Sequence, residues 1–260
     1  MQNPIGIFDS GVGGTSIWKE LHALMPNEST IYLADSNNAP YGEKSEEKIL
    51  QLCIKNTELL LSKKCKLIVV ACNTATTNAI TQLRKTYTVP FIGIEPAIKP
   101  AALQTQTKKV GVLATKGTLS SALFNSTSKL YASGIKVFEQ EGTGLVKLIE
   151  SGLAKSNEVR NLLEQFLRPM LKEGIDCLVL GCTHYPYLIP ALKEILPNNV
   201  KIVDSGLAVA QQTKSILKKN DLLNNDSTLA PKNIFYSNTN PAVLKELINN
   251  SGVEVSYLDF

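Results

Sequence analysis

The chain is poor in histidine, in aromatic side chains and in clustered charge. Among 260 residues there are two histidines and one tryptophan, and aromatics make up 6%. The net charge of +4 is spread thinly, with lysines single or in pairs such as Lys63-Lys64, Lys108-Lys109 and Lys218-Lys219. Without a basic block or interleaved aromatics, nucleic acid is not an expected partner, and these lysines read as solvated helix faces. No apolar run nears the ~20 residues of a membrane helix; runs such as Leu67–Cys72 have strand length, so no membrane partner is expected. The opening MQNPIGIFDSG lacks the basic region and long apolar stretch of a secretory signal. Five cysteines, an odd number with no CxxC pair, do not suit a secreted disulfide framework. The reducing cytoplasm is the expected compartment. Cys182-x-His184 with one distant cysteine lacks the paired ligands of a zinc site, so no metal is expected.

What is present is alternation. Short β-branched runs at Ile5–Phe8, Thr30–Ala34, Leu67–Ala71 and Pro90–Ile94 are separated by helical stretches at Thr15–Met25, Ser45–Leu61 and Thr76–Thr86. The pattern then restarts: strands at Val110–Ala114, Ile135–Phe138 and Cys177–Leu180, with helices at Leu119–Tyr131, Glu158–Lys172 and Ile189–Leu196. Strand–helix alternation with continuous apolar strands predicts parallel sheets covered on both faces. IGIFDSGVGGTS (5–16) lies over VGVLATKGTLSS (110–121), and LIVVACNT (67–74) over CLVLGCTH (177–184). The expectation is an α/β chain of two similar units facing each other across a cleft. The first takes residues 1–97 plus 207–260, the second 98–206. The final stretch, with a helix at Leu207–Lys219, a polar segment Asn220–Ser227, a strand at Asn233–Tyr236 and a helix at Pro241–Ser251, should complete one unit.

Ligands of open parallel sheets bind beyond the carboxyl ends of the strands. The polar ends are Asp9-Ser10, Asp35, Cys72-Asn73-Thr74 and Cys182-Thr183-His184, so each unit offers one cysteine to the cleft. A free thiol titrates at about 8.5, close enough to neutrality to give or take a proton with help. The helix start after Cys72 would favour its thiolate. Cys53, Cys65 and Cys177 lie within helix or strand patterns and read as packing residues. A dinucleotide site is the rival reading, since Gly11-Val-Gly13-Gly14-Thr-Ser16 approaches GxGxxG and Asp35 ends the next strand. Ser16 in place of the third glycine, and the Asp9 carboxylate beside the loop, count against a pyrophosphate there. No cofactor is expected.

In order along the chain, IGIFDSGVGGTS, IYLADSNNAPYGEKS (31–45), LIVVACNTAT (67–76), IGIEPAIKPA (92–101), VLGCTHYP (179–186) and IVDSG (202–206) resemble the glutamate racemases of bacterial cell-wall synthesis. The resemblance implies cofactor-free interconversion of L- and D-glutamate, supplying D-glutamate for peptidoglycan. It gives Cys72 the D-enantiomer and Cys182 the L-enantiomer, with Asp9 and His184 tuning the thiols. Inverting a carbon needs a base on one face and an acid on the other, and two thiols across a cleft supply both. Asp9, Ser10, Tyr41, Gly42, Asn73, Thr74, Thr183 and His184 match substrate-contacting positions, as do Thr115 and Thr118 less sharply. Glu150 matches a further acidic helper in some members, against the plain reading of a surface glutamate at a helix end. A homodimer is the assembly the resemblance implies. One departure stands out: Asn37-Asn38-Ala39 lies where the family commonly has an arginine before Pro40-Tyr41-Gly42. Alternatives are a two-lobed small-molecule binding protein, which leaves two cleft cysteines unexplained, and a racemase or decarboxylase of the same superfamily with another substrate.

Overall fold

A computed structural model of the chain describes residues 3–131, 133–224 and 230–260. Its strands are β1 (Ile5–Asp9), β2 (Thr30–Ala34), β3 (Leu67–Val70), β4 (Phe91–Gly93), β5 (Lys109–Ala114), β6 (Lys136–Glu141), β7 (Cys177–Gly181), β8 (Lys201–Val203), β9 (Asn233–Ser237) and β10 (Val253–Tyr257). The helices are α1 (Thr15–Leu24), α2 (Glu46–Ser62), α3 (Asn73–Thr86), α4 (Ile98–Gln104), α5 (Lys116–Leu119), α6 (Ala122–Tyr131), α7 (Leu145–Glu150), α8 (Asn157–Lys172), α9 (Ile189–Ile195), α10 (Gly206–Lys219) and α11 (Ala242–Ile248). Among the described residues, no helix is long and apolar enough to cross a membrane.

The strands form two parallel sheets, ordered β10-β9-β2-β1-β3-β4 and β6-β5-β7-β8. The run β2-β1-β3-β4 is therefore repeated, element for element, as β6-β5-β7-β8. Ile5 pairs with Leu67 in the first sheet, and their counterparts in the sequence repeat, Val110 and Cys177, pair in the second. The repeat seen in the sequence is thus a repeat of register. After β8 the chain returns through α10, which packs on α1, and adds β9 and β10 beyond β2.

Side chains alternate across each strand. Ile5, Ile7, Leu67 and Val69 face one apolar cluster, while Phe8, Ile68 and Val70 face another under α2 and α3. Leu178 and Leu180 of β7 join the first cluster, and Cys177 and Val179 face a third beside α4 and α6. One cluster therefore includes residues from both sheets.

Several elements differ from the sequence reading: α3 begins at Asn73 rather than Thr76, β6 runs on to Glu141, and α4, α7 and β8 were not expected. The helix expected at Leu119–Tyr131 is split into α5 and α6, because the Ser121 hydroxyl accepts from the Phe124 amide at 3.2 Å and starts a new helix. The last helix stops at Ile248, where Asn249 turns left-handed with φ 42°. β10 was not expected; it is an edge strand with three of its five residues exposed, so its apolar signal is weak. Of the polar segment Asn220–Ser227, residues 225–227 lie outside the described residues.

A buried ion pair sits at the opposite end of the first sheet from the polar strand ends. Lys66 Nζ lies 2.7 Å from Glu28 Oε2, with side chains 7% and 3% exposed. Lys66 also donates to the Leu222 carbonyl, and Glu28 accepts from the Asn224 amide, each at 2.7 Å. The pair thus ties the segment after α10 to the sheet. Removing one partner leaves an uncompensated buried charge. Glu28→Ala should destabilise the fold by about 3–5 kcal/mol in urea unfolding, and the double change Glu28→Leu with Lys66→Met by clearly less.

Candidate active site

The carboxyl ends of β1, β3 and β7 bring together residues far apart in sequence. Asp9, at the end of β1, is fully buried. Its Oδ1 accepts from the Gly11 amide at 2.7 Å and its Oδ2 from the Thr183 hydroxyl at 2.8 Å. The second bond joins the first sheet's end to the second's. Ser16 adds another tie, donating to the Thr183 carbonyl at 2.8 Å.

The two cleft thiols have unlike surroundings. Cys72 is 5% exposed and caps α3, its Sγ accepting from the Ala75 amide at 3.5 Å and lying 3.7 Å from Ser10 Oγ. Burial pushes this thiol's pKa far above its usual value, and the charge of Asp9 adds to the effect. The Ala75 amide and Ser10 oppose the shift without cancelling it. The helix start was expected to favour the thiolate; desolvation is the larger effect, and it holds Cys72 protonated.

Cys182 is 7% exposed, with its Sγ 3.7 Å from His184 Nδ1. The other ring nitrogen, Nε2, lies 2.5 Å from Glu150 Oε1. Burial works against a charge on His184, but the hydrogen bonds to Cys182 and Glu150 together outweigh it and hold the imidazole well above its usual pKa. A protonated ring can donate to both neighbours at once, so Glu150, His184 and Cys182 form a continuous hydrogen-bonded relay. Burial raises Asp9 to about 6, against the lowering effects of His184 and Thr183.

Glu150 is not a surface residue. Its side chain is 13% exposed, and besides His184 it accepts from the Val12 amide at 2.7 Å and the Ser36 hydroxyl at 2.8 Å. The sequence did carry a hint: an acid in the last turn of α7 sits at the helix's negative end, where it is disfavoured unless held from elsewhere. The glycine-rich turn is explained by the same contacts. A Cβ on Gly11 would lie 1.9 Å from Glu150 Oε1, and one on Gly13 would lie 2.3 Å from His184 Nδ1. These glycines admit side chains of the second unit, so the turn needs no phosphate to account for it.

Asn73 is buried, and among the described residues its Oδ1 has no partner. Thr74, at the start of α3, and Thr115 and Thr118, around the start of α5, form a triangle of hydroxyls 2.8–3.2 Å apart across the two units. Gly42 packs against Thr115, where an added Cβ would stand 2.9 Å from the threonine Cβ. Tyr41 is 1% exposed, and its hydroxyl is committed to Asp35 at 2.5 Å and Asn56 at 3.2 Å. Cys53, Cys65 and Cys177 are buried in the apolar clusters, and His22 stacks on Trp18 at 4.8 Å between centroids.

The two histidines should titrate on opposite sides of the usual value near 6.5. Burial lowers His22, whereas its hydrogen bonds raise His184 despite burial. Proton NMR of the ring protons should show one resonance titrating below 6.5 and one above. Glu150→Gln should bring only the second down, because it removes the carboxylate beside Nε2.

A model of the Asp/Glu/Hydantoin racemase family matches residues 14–213. The glutamate racemase of Ectopseudomonas mendocina is 48% identical over 223 residues, 85% of each chain. Among solved structures, a glutamate racemase isoform of Bacillus anthracis superposes with a TM-score of 0.87 at 30% identity, covering 99% of this chain and 98% of that one. Escherichia coli glutamate racemase, in complex with L-glutamate and the activator UDP-MurNAc-ala, also gives 0.87, at 34% identity and with 98% and 97% covered. The relay and the paired thiols thus sit in a fold shared along nearly its whole length with these enzymes, and the chain belongs to the Asp/Glu/Hydantoin racemase family, standing within it among the glutamate racemases.

Proposed function

We propose that the protein interconverts L- and D-glutamate by carrying the α-proton between two thiols, one from each unit. Cys72 belongs to the unit made of 1–97 with 207–260, and Cys182 to the unit 98–206. The observation that carries this reading is the placement of the cysteines. They follow the equivalent strands β3 and β7, and each has a titratable partner of the opposite kind.

A base on one face must remove the α-proton, and an acid on the other must return one. With L-glutamate, the Cys182 thiolate stands beside the His184 cation, the partner a thiolate needs. Cys72, held protonated by burial, is then the acid. With D-glutamate the roles exchange: Asp9 takes the proton of Cys72, the resulting thiolate takes the α-proton, and Cys182 delivers a proton replenished through His184. Glu150 holds the imidazole in place throughout. The hydroxyls of Thr74, Thr115 and Thr118, with the amide groups opening α3, suit a substrate carboxylate. The unpartnered Oδ1 of Asn73 suits the α-ammonium group. Ser10, Tyr41, Gly42 and Thr183 complete the walls. The thiols supply both acid and base, so the reading calls for no cofactor. It places the protein in the bacterial cytoplasm, providing D-glutamate for peptidoglycan.

Incubation with L-glutamate in D₂O tests the mechanism. Each turnover should place deuterium on the product's α-carbon, because the returning proton comes from the second thiol. Cys72→Ala or Cys182→Ala should lower kcat/KM by at least the 10²–10⁴-fold that one positioned acid or base contributes, roughly, and equally in both directions because the enantiomers have equal free energy. Cys53→Ala, Cys65→Ala and Cys177→Ala should each cost less than about tenfold, any loss coming from cavities. Retention of the substrate's own proton, or a near-normal rate in either cleft variant, overturns the two-thiol reading. Turnover of aspartate in place of glutamate overturns the substrate.

The pH profile gives a separate check. Asp9 must be ionised to accept the proton of Cys72, and its carboxyl titrates at about 6. The acid limb of kcat/KM should therefore fall near that pH rather than near 4, with the alkaline limb reporting the coupled thiols.

A further inference from the structure

Asp35 directly follows β2 and is 1% exposed. Among the described residues it makes no ion pair with lysine, arginine or histidine. Its carboxylate is held by neutral donors: the Tyr41 hydroxyl at 2.5 Å, Asn38 Nδ2 at 2.8 Å and Asn238 Nδ2 at 2.6 Å. A buried carboxylate held this way depends on every donor, because each lost bond leaves charge unsolvated.

Asn238 does the most connecting. It follows β9, on the opposite side of β2 from β1 and β3. Its Nδ2 also donates to a backbone oxygen of Phe260 at 3.2 Å, and its Oδ1 accepts from the Asn37 amide at 2.9 Å. One side-chain amide thus uses both donors and its acceptor, and two of its three bonds go to the stretch that follows β2. That stretch is otherwise short of regular structure, holding two three-residue 3-10 turns at Ser36–Asn38 and Tyr41–Glu43. It is also where the first unit reaches the second: Ser36 donates to Glu150, and Gly42 packs on Thr115.

We infer that Asn238 is a positioning residue for the reaction, fixing the 36–42 stretch through Asp35 and the Asn37 amide so that Tyr41 and Gly42 stand in their binding arrangement and Ser36 keeps its bond to Glu150. The inference rests on the glutamate racemase reading for its kinetic arm only. A loop that is competent in a fraction of molecules weakens apparent binding by that fraction and leaves the bound complex unchanged. The effect should therefore fall on KM and not on kcat.

In Asn238→Ala, hydrogen exchange of the 36–43 peptide, including the Asn37 amide, should speed up about tenfold or more as local opening becomes easier. KM for glutamate should rise about tenfold with kcat within about threefold, the mark of a lower competent fraction. Asn238→Asp keeps the side chain's shape and gives a second readout. Two facing carboxyls cannot both ionise comfortably, so the pair binds a proton at higher pH than either alone. The variant should show raised KM, and as pH is lowered a shared proton restores a donor to Asp35, so the ratio of variant to wild-type KM should fall toward one. Tyr41 and Cys53, whose charges bear on Asp35, are raised well above their usual values by burial and stay neutral as pH is lowered. The Phe260 oxygen that accepts from Asn238 faces the new carboxyl in both protonation states, and the Asn238→Ala ratio measured at each pH reads what that oxygen contributes on its own. Exchange of 36–43 equal to wild type in Asn238→Ala overturns the inference, as does a loosened loop with unchanged KM or a pH-independent KM ratio in Asn238→Asp. Wild-type protein that fails to racemise glutamate overturns the proposed function instead, and the exchange comparison then decides alone whether Asn238 holds the loop.

Discussion

The bond between Thr183 and Asp9 is the one on which the site's geometry turns. It satisfies a carboxylate buried at the end of one sheet with a hydroxyl from the end of the other. A buried acid without donors would be left unsolvated, and here the Thr183 hydroxyl and the Gly11 amide supply them from the two strand ends. Glu150 repeats the arrangement in reverse, reaching from α7 in the second unit to the Val12 amide in the first. Charges are therefore buried where the units meet, and each is satisfied from across the join. The apolar cluster that includes residues of both sheets holds that join in place.

Burial also sets the chemistry. At Cys72 the amide end of a helix and the loss of water act in opposite directions, and loss of water is the stronger. At His184 burial again opposes charge, but two hydrogen-bonded partners exceed it. The same dry cleft thus keeps one group protonated by isolation and another by company. An inference from local sequence, such as a helix start favouring a thiolate, captures the smaller of the two contributions.

Much of this was legible in the sequence where the signal is local. Apolar strands ending in Cys-Asn-Thr and Cys-Thr-His announce both their burial and the turn that follows, and the internal repeat aligns them with each other. Glu150 was legible only through the resemblance and a faint helix-end hint, with a surface glutamate as the plain reading, because its contacts with Val12 and His184 are distant in sequence. Asn238 gives still less away, as an asparagine after an outer strand looks like a turn residue. The glycines of the first turn were visible but ambiguous: a tight turn, a phosphate loop and a seat for another unit's side chains all ask for the absence of a Cβ. Ser121, which splits the helix after β5, acts through a hydroxyl that composition alone does not locate.

The repeated strand order has a consequence for how mirror-image substrates are handled. A chain of L-residues cannot build its own reflection, so a protein that meets both hands of an amino acid has only imperfect copies of itself to offer. Here each copy presents a thiol after the equivalent strand, but one is attended by a carboxyl and the other by an imidazole. Unequal attendants are what handedness demands of such a pair. The reaction has no preferred direction, yet the scaffold that runs it is obliged to have two different sides.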